Sequence, residues 1–188
     1  MVFLGWLFMS RVAVVVPLKS FAIGKGRLRG IESLNVEELS RQLAAAVIAA
    51  AAPHDVYVVG ESDDVALFAR SLGATVLRHD HAGLNNAVQF AFGALRSSYD
   101  VIVIAHGDLR NPTGLGAFAP GPGVTIVQDH HQRGTTVLAV PTSSDFTFHY
   151  GDDSCHLHAQ EARTRSLACH IVTDSPWQFD IDEPADLQ

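Results

Sequence analysis

The chain has 188 residues, a length suited to one domain with its own hydrophobic core. Apolar residues make up 47% and charged residues 18%, the balance of an ordinary globular domain rather than a disordered or fibrous chain. A formal net charge of −7 argues against a nucleic-acid binder, whose footprint is basic, but leaves room for a small anion met by local cations. The apolar opening from Met1 to Met9 is far too short to span a bilayer. It also lacks the basic flank and small-residue cleavage site of a signal peptide. Residues 1–10 therefore read as an extended amino terminus, with Met9 as an alternative start. Residues 11–188 form the domain, expected to be cytoplasmic with no membrane partner.

Val12 to Val16 is a buried first strand, ended by Pro17. The loop that follows carries Lys19, Lys25 and Arg27 with two glycines, and can bring cations and backbone N–H groups onto phosphate oxygens. Its glycine spacing is not that of a P-loop, and a solvated basic loop fits the spacing equally well. Asn35 is placed to cap a helix with Leu39, Leu43, Val47 and Ala50 on one face. Val56 to Val59 reads as a second strand. The Ser62-Asp63-Asp64 group caps the next helix, Gly73 ends it, and Ala74 to Leu77 is a third strand. Alternating strands and helices predict an α/β domain with a mostly parallel sheet and helices on both faces.

A turn-rich loop from His79 leads into a helix over about 86–96. Its Gly83-Leu84-Asn85 corner sets backbone amides and one side-chain amide at a helix N-terminus. Val101 to Ala105 is the central strand, stopped by His106-Gly107-Asp108. In open α/β sheets, ligands sit beyond the carboxyl ends of the strands, which is where Asp108 falls. Val124 to Val127 and Thr135 to Val140 are joined by a short polar connection and predict an antiparallel hairpin. Ser154 is placed to cap a helix, Ala168 to Val172 is a last strand, and Glu183-Pro184 opens a terminal helix.

Asp180 and Asp182 follow at strand spacing, which turns both carboxylates to one side. With Asp108 they form an all-oxygen set suited to Mg²⁺. The 10 histidines, including the pairs His79/His81, His130/His131 and His156/His158, match no zinc motif and are read as surface loop residues. Cys155 and Cys169 have neither metal-ligand spacing nor a disulfide framework, and are read as reduced thiols. No serine lies in a nucleophile elbow.

These segments, taken in order, resemble the 2-phospho-L-lactate/phosphoenolpyruvate guanylyltransferases of coenzyme F-420 biosynthesis. The likeness is carried by the loop from Lys19 to Leu28, the Gly83-Leu84-Asn85 corner, and Ala105 to Leu109. It continues in Gly134-Thr135-Thr136, in Tyr150-Gly151 with Ser154, and in the closing Asp180-Ile181-Asp182 through Leu187. The chain departs from that family at Arg110, where a proline is usual, at Val137, and at Asp152-Asp153, which add two negative charges to a turn. The resemblance implies a single-domain nucleotide-diphospho-sugar transferase-like fold of the GT-A type. It implies transfer of GMP from GTP to the phosphate of a three-carbon phosphoacid. Asp108, Asp180 and Asp182 would hold Mg²⁺. Lys19, Lys25, Arg27, Gly83, Leu84 and Asn85 would bind the nucleotide, and Thr136, Gly151 and Ser154 the acceptor. Two alternatives remain: a nucleotidyltransferase of the same fold acting on a sugar phosphate or the molybdenum cofactor, and a non-catalytic nucleotide-binding relative. The sequence leaves open whether two copies pair as a homodimer.

Overall fold

The computed structural model describes residues 10–23, 25–28, 30–31, 34–80 and 83–187. The expected extended amino terminus up to residue 9, Gly24 of the basic loop, and His81 lie outside the described residues. The strands are β1 (Val12–Pro17), β2 (Asp55–Gly60), β3 (Thr75–Arg78), β4 (Val101–Ala105), β5 (Val124–Gln128), β6 (Thr135–Pro141) and β7 (Cys169–Val172). The helices are α1 (Val36–Ala50), α2 (Asp63–Ser71), α3 (Leu84–Leu95) and α4 (Ser154–Thr164).

One seven-stranded sheet runs in the order β3-β2-β1-β4-β6-β5-β7. Neighbours are parallel except around β6, which is antiparallel to both β4 and β5. The reason is local. The connection between β5 and β6 is a few polar residues, and a parallel return needs a crossover of about a dozen. Asp129 shapes that turn: its Oδ1 accepts from the Arg133 N–H at 2.8 Å.

Period-two alternation divides the core between the two faces. Ala13, Val15, Ile102 and Ile104 pack with α3 and α4, whereas Val14, Val16, Val103 and Ala105 pack with α1 and α2. Burying one such Ile or Val is worth about 1.5–3 kcal/mol. That places β1 and β4 at the centre, closed to solvent on both sides.

Five expectations are corrected. Helix α3 begins at Leu84, two residues early, because Gly83 takes the cap position at a φ of 101°. Asp153, not Ser154, occupies the cap of α4, and Ser154 is its first residue. Asp180 is not on a strand: it makes a single antiparallel bridge with Leu109, and the expected terminal helix is a four-residue 3-10 turn, Pro184–Leu187. The histidines are not all surface residues, because His158 is fully buried on α4 and His79 is buried as well. His158 is satisfied without charge: its Nε2 accepts from the His149 N–H at 2.9 Å, so Nδ1 carries the proton and meets the Thr135 hydroxyl at 3.1 Å. Burial, then His149 and His106, push its pKa down to about 3. The cap reading of Asn35 holds, with its side chain accepting from the Glu38 N–H at 3.1 Å. Both cysteines are free thiols, Cys155 buried and Cys169 exposed.

Candidate active site

The carboxyl ends of β1, β2 and β4 open onto a cleft of about 320 Å³, near the lower end of small-ligand sites. Its floor exists because two strand ends carry no side chain. A Cβ on Gly60 would stand 2.7 Å from the Leu18 carbonyl oxygen, and one on Gly107 would stand 2.3 Å from Leu18 Cδ2. The Leu18 backbone therefore crosses close to the end of β2 while its side chain packs over Gly107, with the Leu18 N–H donating to the Val59 carbonyl at 3.0 Å.

Lys25 reaches across this cleft. Its Nζ donates to Asp108 Oδ2 at 2.7 Å, to the Ile181 carbonyl, and to Asp182 Oδ1 at 3.3 Å. Residues far apart in sequence thus meet at one ammonium. Burial opposes the charge, but Asp108 and Asp182 outweigh it and raise the Lys25 pKa above its ordinary value. The group is cationic at neutral pH.

Asp180 stands on the other flank of Asp108, where its Oδ2 is 3.7 Å from His106 Nδ1. Ligand atoms of His106, Asp108 and Asp180 lie within 4.8 Å of one another. Burial lowers the His106 pKa, yet Asp180, Asp108 and Asp182 more than reverse this, so the imidazole protonates more readily than usual. Asp108 Oδ1 is sealed from solvent without a hydrogen-bond partner. A buried, unpartnered carboxylate oxygen is costly. Two carboxylates on one ammonium, a third beside His106 and an orphaned carboxylate oxygen among them fit a hard divalent cation.

The sequence-predicted residues divide as follows. Lys19, Lys25, Gly83, Leu84, Asp108 and Asp182 line the cleft. Asp180 borders it through His106. Arg27 points elsewhere, 73% exposed and paired with Glu183 at 2.8 Å. Asn85 is not turned to the cleft: its Nδ2 donates to the Tyr150 carbonyl at 2.9 Å and its Oδ1 accepts from the Tyr150 N–H at 2.6 Å. Both ends of the amide are thereby used in clasping α3 to the turn at Gly151. Thr136 and Ser154 are buried, and the Thr136 hydroxyl donates to the Val127 carbonyl at 3.3 Å. Gly151 is exposed at a φ of 131°. This group is tied to the acidic corner by Tyr150, whose ring centroid lies 5.5 Å from that of His106, and by the His106 N–H, which donates to the Thr136 carbonyl at 3.0 Å.

Sequence reasoning missed His106, Tyr150 and the clasping role of Asn85. It also missed Glu61 and His79, which line the cleft. Only the place of His106, between a buried strand and Asp108, could have marked it. For Asn85 we expect an Ala substitution to cost about 1–3 kcal/mol, as two hydrogen bonds are lost and the Tyr150 backbone is orphaned. Denaturant unfolding of parent and variant measures this loss.

The guanylyl transferase CofC-like family model matches residues 12–188. Among curated proteins, the chain is 33% identical over 154 residues to a 3-phospho-D-glycerate guanylyltransferase of Phenylobacterium zucineum, covering 76% of this chain and 69% of that one. It is 32% identical over 178 residues to a phosphoenolpyruvate guanylyltransferase of Roseiflexus castenholzii, covering 92% and 84%. Among solved structures, a protein assigned as a nucleotide-diphospho-sugar transferase from Desulfovibrio desulfuricans G20 superposes with a TM-score of 0.77 at 17% identity, over 95% of this chain and 85% of that one. Glucosyl-3-phosphoglycerate synthase of Mycobacterium tuberculosis, in complex with Mn²⁺ and UDP-glucose, shares the fold at a TM-score of 0.60 and 16% identity, over 87% and 69%. Among the described residues, no helix is long and apolar enough to cross a membrane.

Proposed function

The chain belongs to the guanylyl transferase CofC-like family, and we propose that it transfers GMP from GTP to the phosphate of a three-carbon phosphoacid, releasing pyrophosphate, in coenzyme F-420 biosynthesis. The observation that carries this reading is the convergence of Lys25, Asp108 and Asp182 in the cleft at the carboxyl ends of the strands.

An acceptor phosphate monoester is largely dianionic at neutral pH, with a second pKa of about 6. Its oxygen attacks the α-phosphorus of GTP, and the bond to the β-phosphate oxygen breaks with its electron pair leaving on pyrophosphate. No side chain has to remove a proton. The difficulty lies in bringing two anions together and holding the charge that develops, which is the task of cations and in-line positioning. Lys25 supplies a cation held in place by two carboxylates. Lys19, exposed on the same cleft, supplies a second for the outer phosphates. Asp108, Asp180 and Asp182 would hold Mg²⁺, which when bound neutralises and polarises phosphoryl oxygens. Gly83 and Leu84 border the nucleoside end of the cleft.

The acceptor side is assigned to Gly151 with Thr136 and Ser154, supported by the contact of Tyr150 with His106. Burial of the two hydroxyls favours backbone contacts there over direct hydroxyl bonds.

The test is pyrophosphate release over a matrix of four nucleoside triphosphates and a set of phosphoacids: phosphoenolpyruvate, 2-phospho-L-lactate and 3-phosphoglycerate, with sugar phosphates as controls. Release with GTP and one phosphoacid, at least about ten-fold above every other pairing, is the expected result. Preference for a sugar phosphate, or GTP binding with no release for any phosphoacid, would overturn it.

A further inference from the structure

We propose that His130, His131 and Asp186 form a second metal site, for a transition ion such as Zn²⁺, distinct from the acidic corner at Asp108. Ligand atoms of these three residues lie within 4.8 Å of one another. Two imidazoles and one carboxylate suit zinc and its neighbours rather than magnesium. His130 and His131 sit at the tip of the β5–β6 hairpin, with ring centroids 3.8 Å apart. Asp186 comes from the 3-10 turn near the end of the chain. The hairpin is held against that segment by the His130 N–H, which donates to the Gln178 carbonyl at 3.0 Å, and by Phe179, stacked 5.2 Å from the His130 ring.

The way each side chain is partnered points to a shared ligand. Asp186 Oδ2 accepts from the Asp182 and Glu183 N–H groups at 2.9 and 2.7 Å. This fixes the carboxylate and turns Oδ1 toward His130, as backbone bonds orient ligating carboxylates in metal sites. Oδ1 stands 3.8 Å from His130 Nε2, beyond hydrogen-bond range. A tetrahedron with ligands about 2.0–2.1 Å from zinc has an edge of about 3.3–3.4 Å, so the two atoms would draw in by about 0.4–0.5 Å to share the ion. Among the described residues, His130 Nε2 has no hydrogen-bond partner, which leaves its lone pair open to an ion shared with Asp186 Oδ1. His131 is exposed and completes the set from the solvent side. A bound ion would clip the hairpin to the segment that carries Asp180 and Asp182, because the Asp182 N–H hangs on the same carboxylate. This inference stands apart from the guanylyl-transfer reading and does not need it.

Equilibrium dialysis of the purified chain against Zn²⁺, with excess Mg²⁺ present, is expected to load one ion that His131→Ala no longer takes up. Asp108→Asn and His156→Ala, the latter at an exposed histidine elsewhere, should retain it. Because His131 is exposed, its removal leaves the fold intact. The thermal midpoint of the parent should rise with Zn²⁺ while that of His131→Ala stays put. Equal zinc uptake by parent and His131→Ala, or no uptake by either, overturns the proposal. So does loss of the ion in Asp108→Asn, which would put the zinc in the acidic corner.

Discussion

Asp108→Asn is expected to lower turnover about a hundred- to thousand-fold at saturating magnesium, with GTP affinity changed far less. The size follows from what the carboxylate supports. Metal polarisation of phosphoryl oxygens is worth several kcal/mol, and each decade of rate corresponds to about 1.4 kcal/mol. Asn keeps the shape and removes the charge, so the change tests electrostatics rather than packing. Lys25 retains Asp182 and the Ile181 carbonyl in the variant, and Asp108 Oδ1 makes no hydrogen bond in the parent that the substitution could break. The variant should therefore fold, with a stability loss of about 1 kcal/mol from one weakened charge-assisted bond. Steady-state rates and a denaturant curve on the same preparation separate the two effects. Turnover within a few-fold of the parent would remove Asp108 from the chemistry.

The strands were legible because their cause is local. Val14 to Val16 and Val101 to Ala105 are β-branched or small apolar runs too short for a buried helix, and they became the two central strands. Asp108 was legible for the same reason: the end of a buried strand is a fixed address in this architecture. What stayed hidden depends on contacts between distant residues. The Asn85 clasp spans 65 positions, and nothing near Asn85 distinguishes an amide that grips Tyr150 from one that reads a ligand. Period two put Asp180 and Asp182 on one side, which requires a strand. The chain instead makes one bridge at Asp180 and turns at once, so Asp182 faces Lys25 while Asp180 faces His106. The histidines misled in the opposite direction. His158 lies on a helix whose polar residues disguise a buried face, and its burial is tolerated because both ring nitrogens find partners.

Lys25→Met should lower turnover by about a hundred- to thousand-fold, the range measured when a single preorganised donor to developing charge is deleted. It should also destabilise the metal-free protein by about 1–3 kcal/mol, because Asp108 loses its cation in a largely buried setting. The partner Asp182, about half exposed, adds little, since solvent screens it. Methionine fills much the same volume, and both residues meet the same cost at the φ of 50° found here, so backbone strain cancels in the comparison. The pH dependence has a definite sign. The Lys25 pKa is raised above its ordinary value of 10.5: burial lowers it, but Asp108 and Asp182 prevail. A raised folded-state pKa gives a contribution that is complete below the unfolded value and lost only as pH climbs through the folded one. The stability gap between parent and variant should therefore be flat from neutral to mildly alkaline pH and close only in strong alkali. Added magnesium should narrow it at neutral pH, since a divalent cation among the same carboxylates relieves the repulsion that the missing ammonium leaves behind. Thermal unfolding of both proteins over a grid of pH and magnesium measures all of this. A gap that shrinks between neutral and mildly alkaline pH, or one that ignores magnesium, would mean that Lys25 does not neutralise the acidic corner.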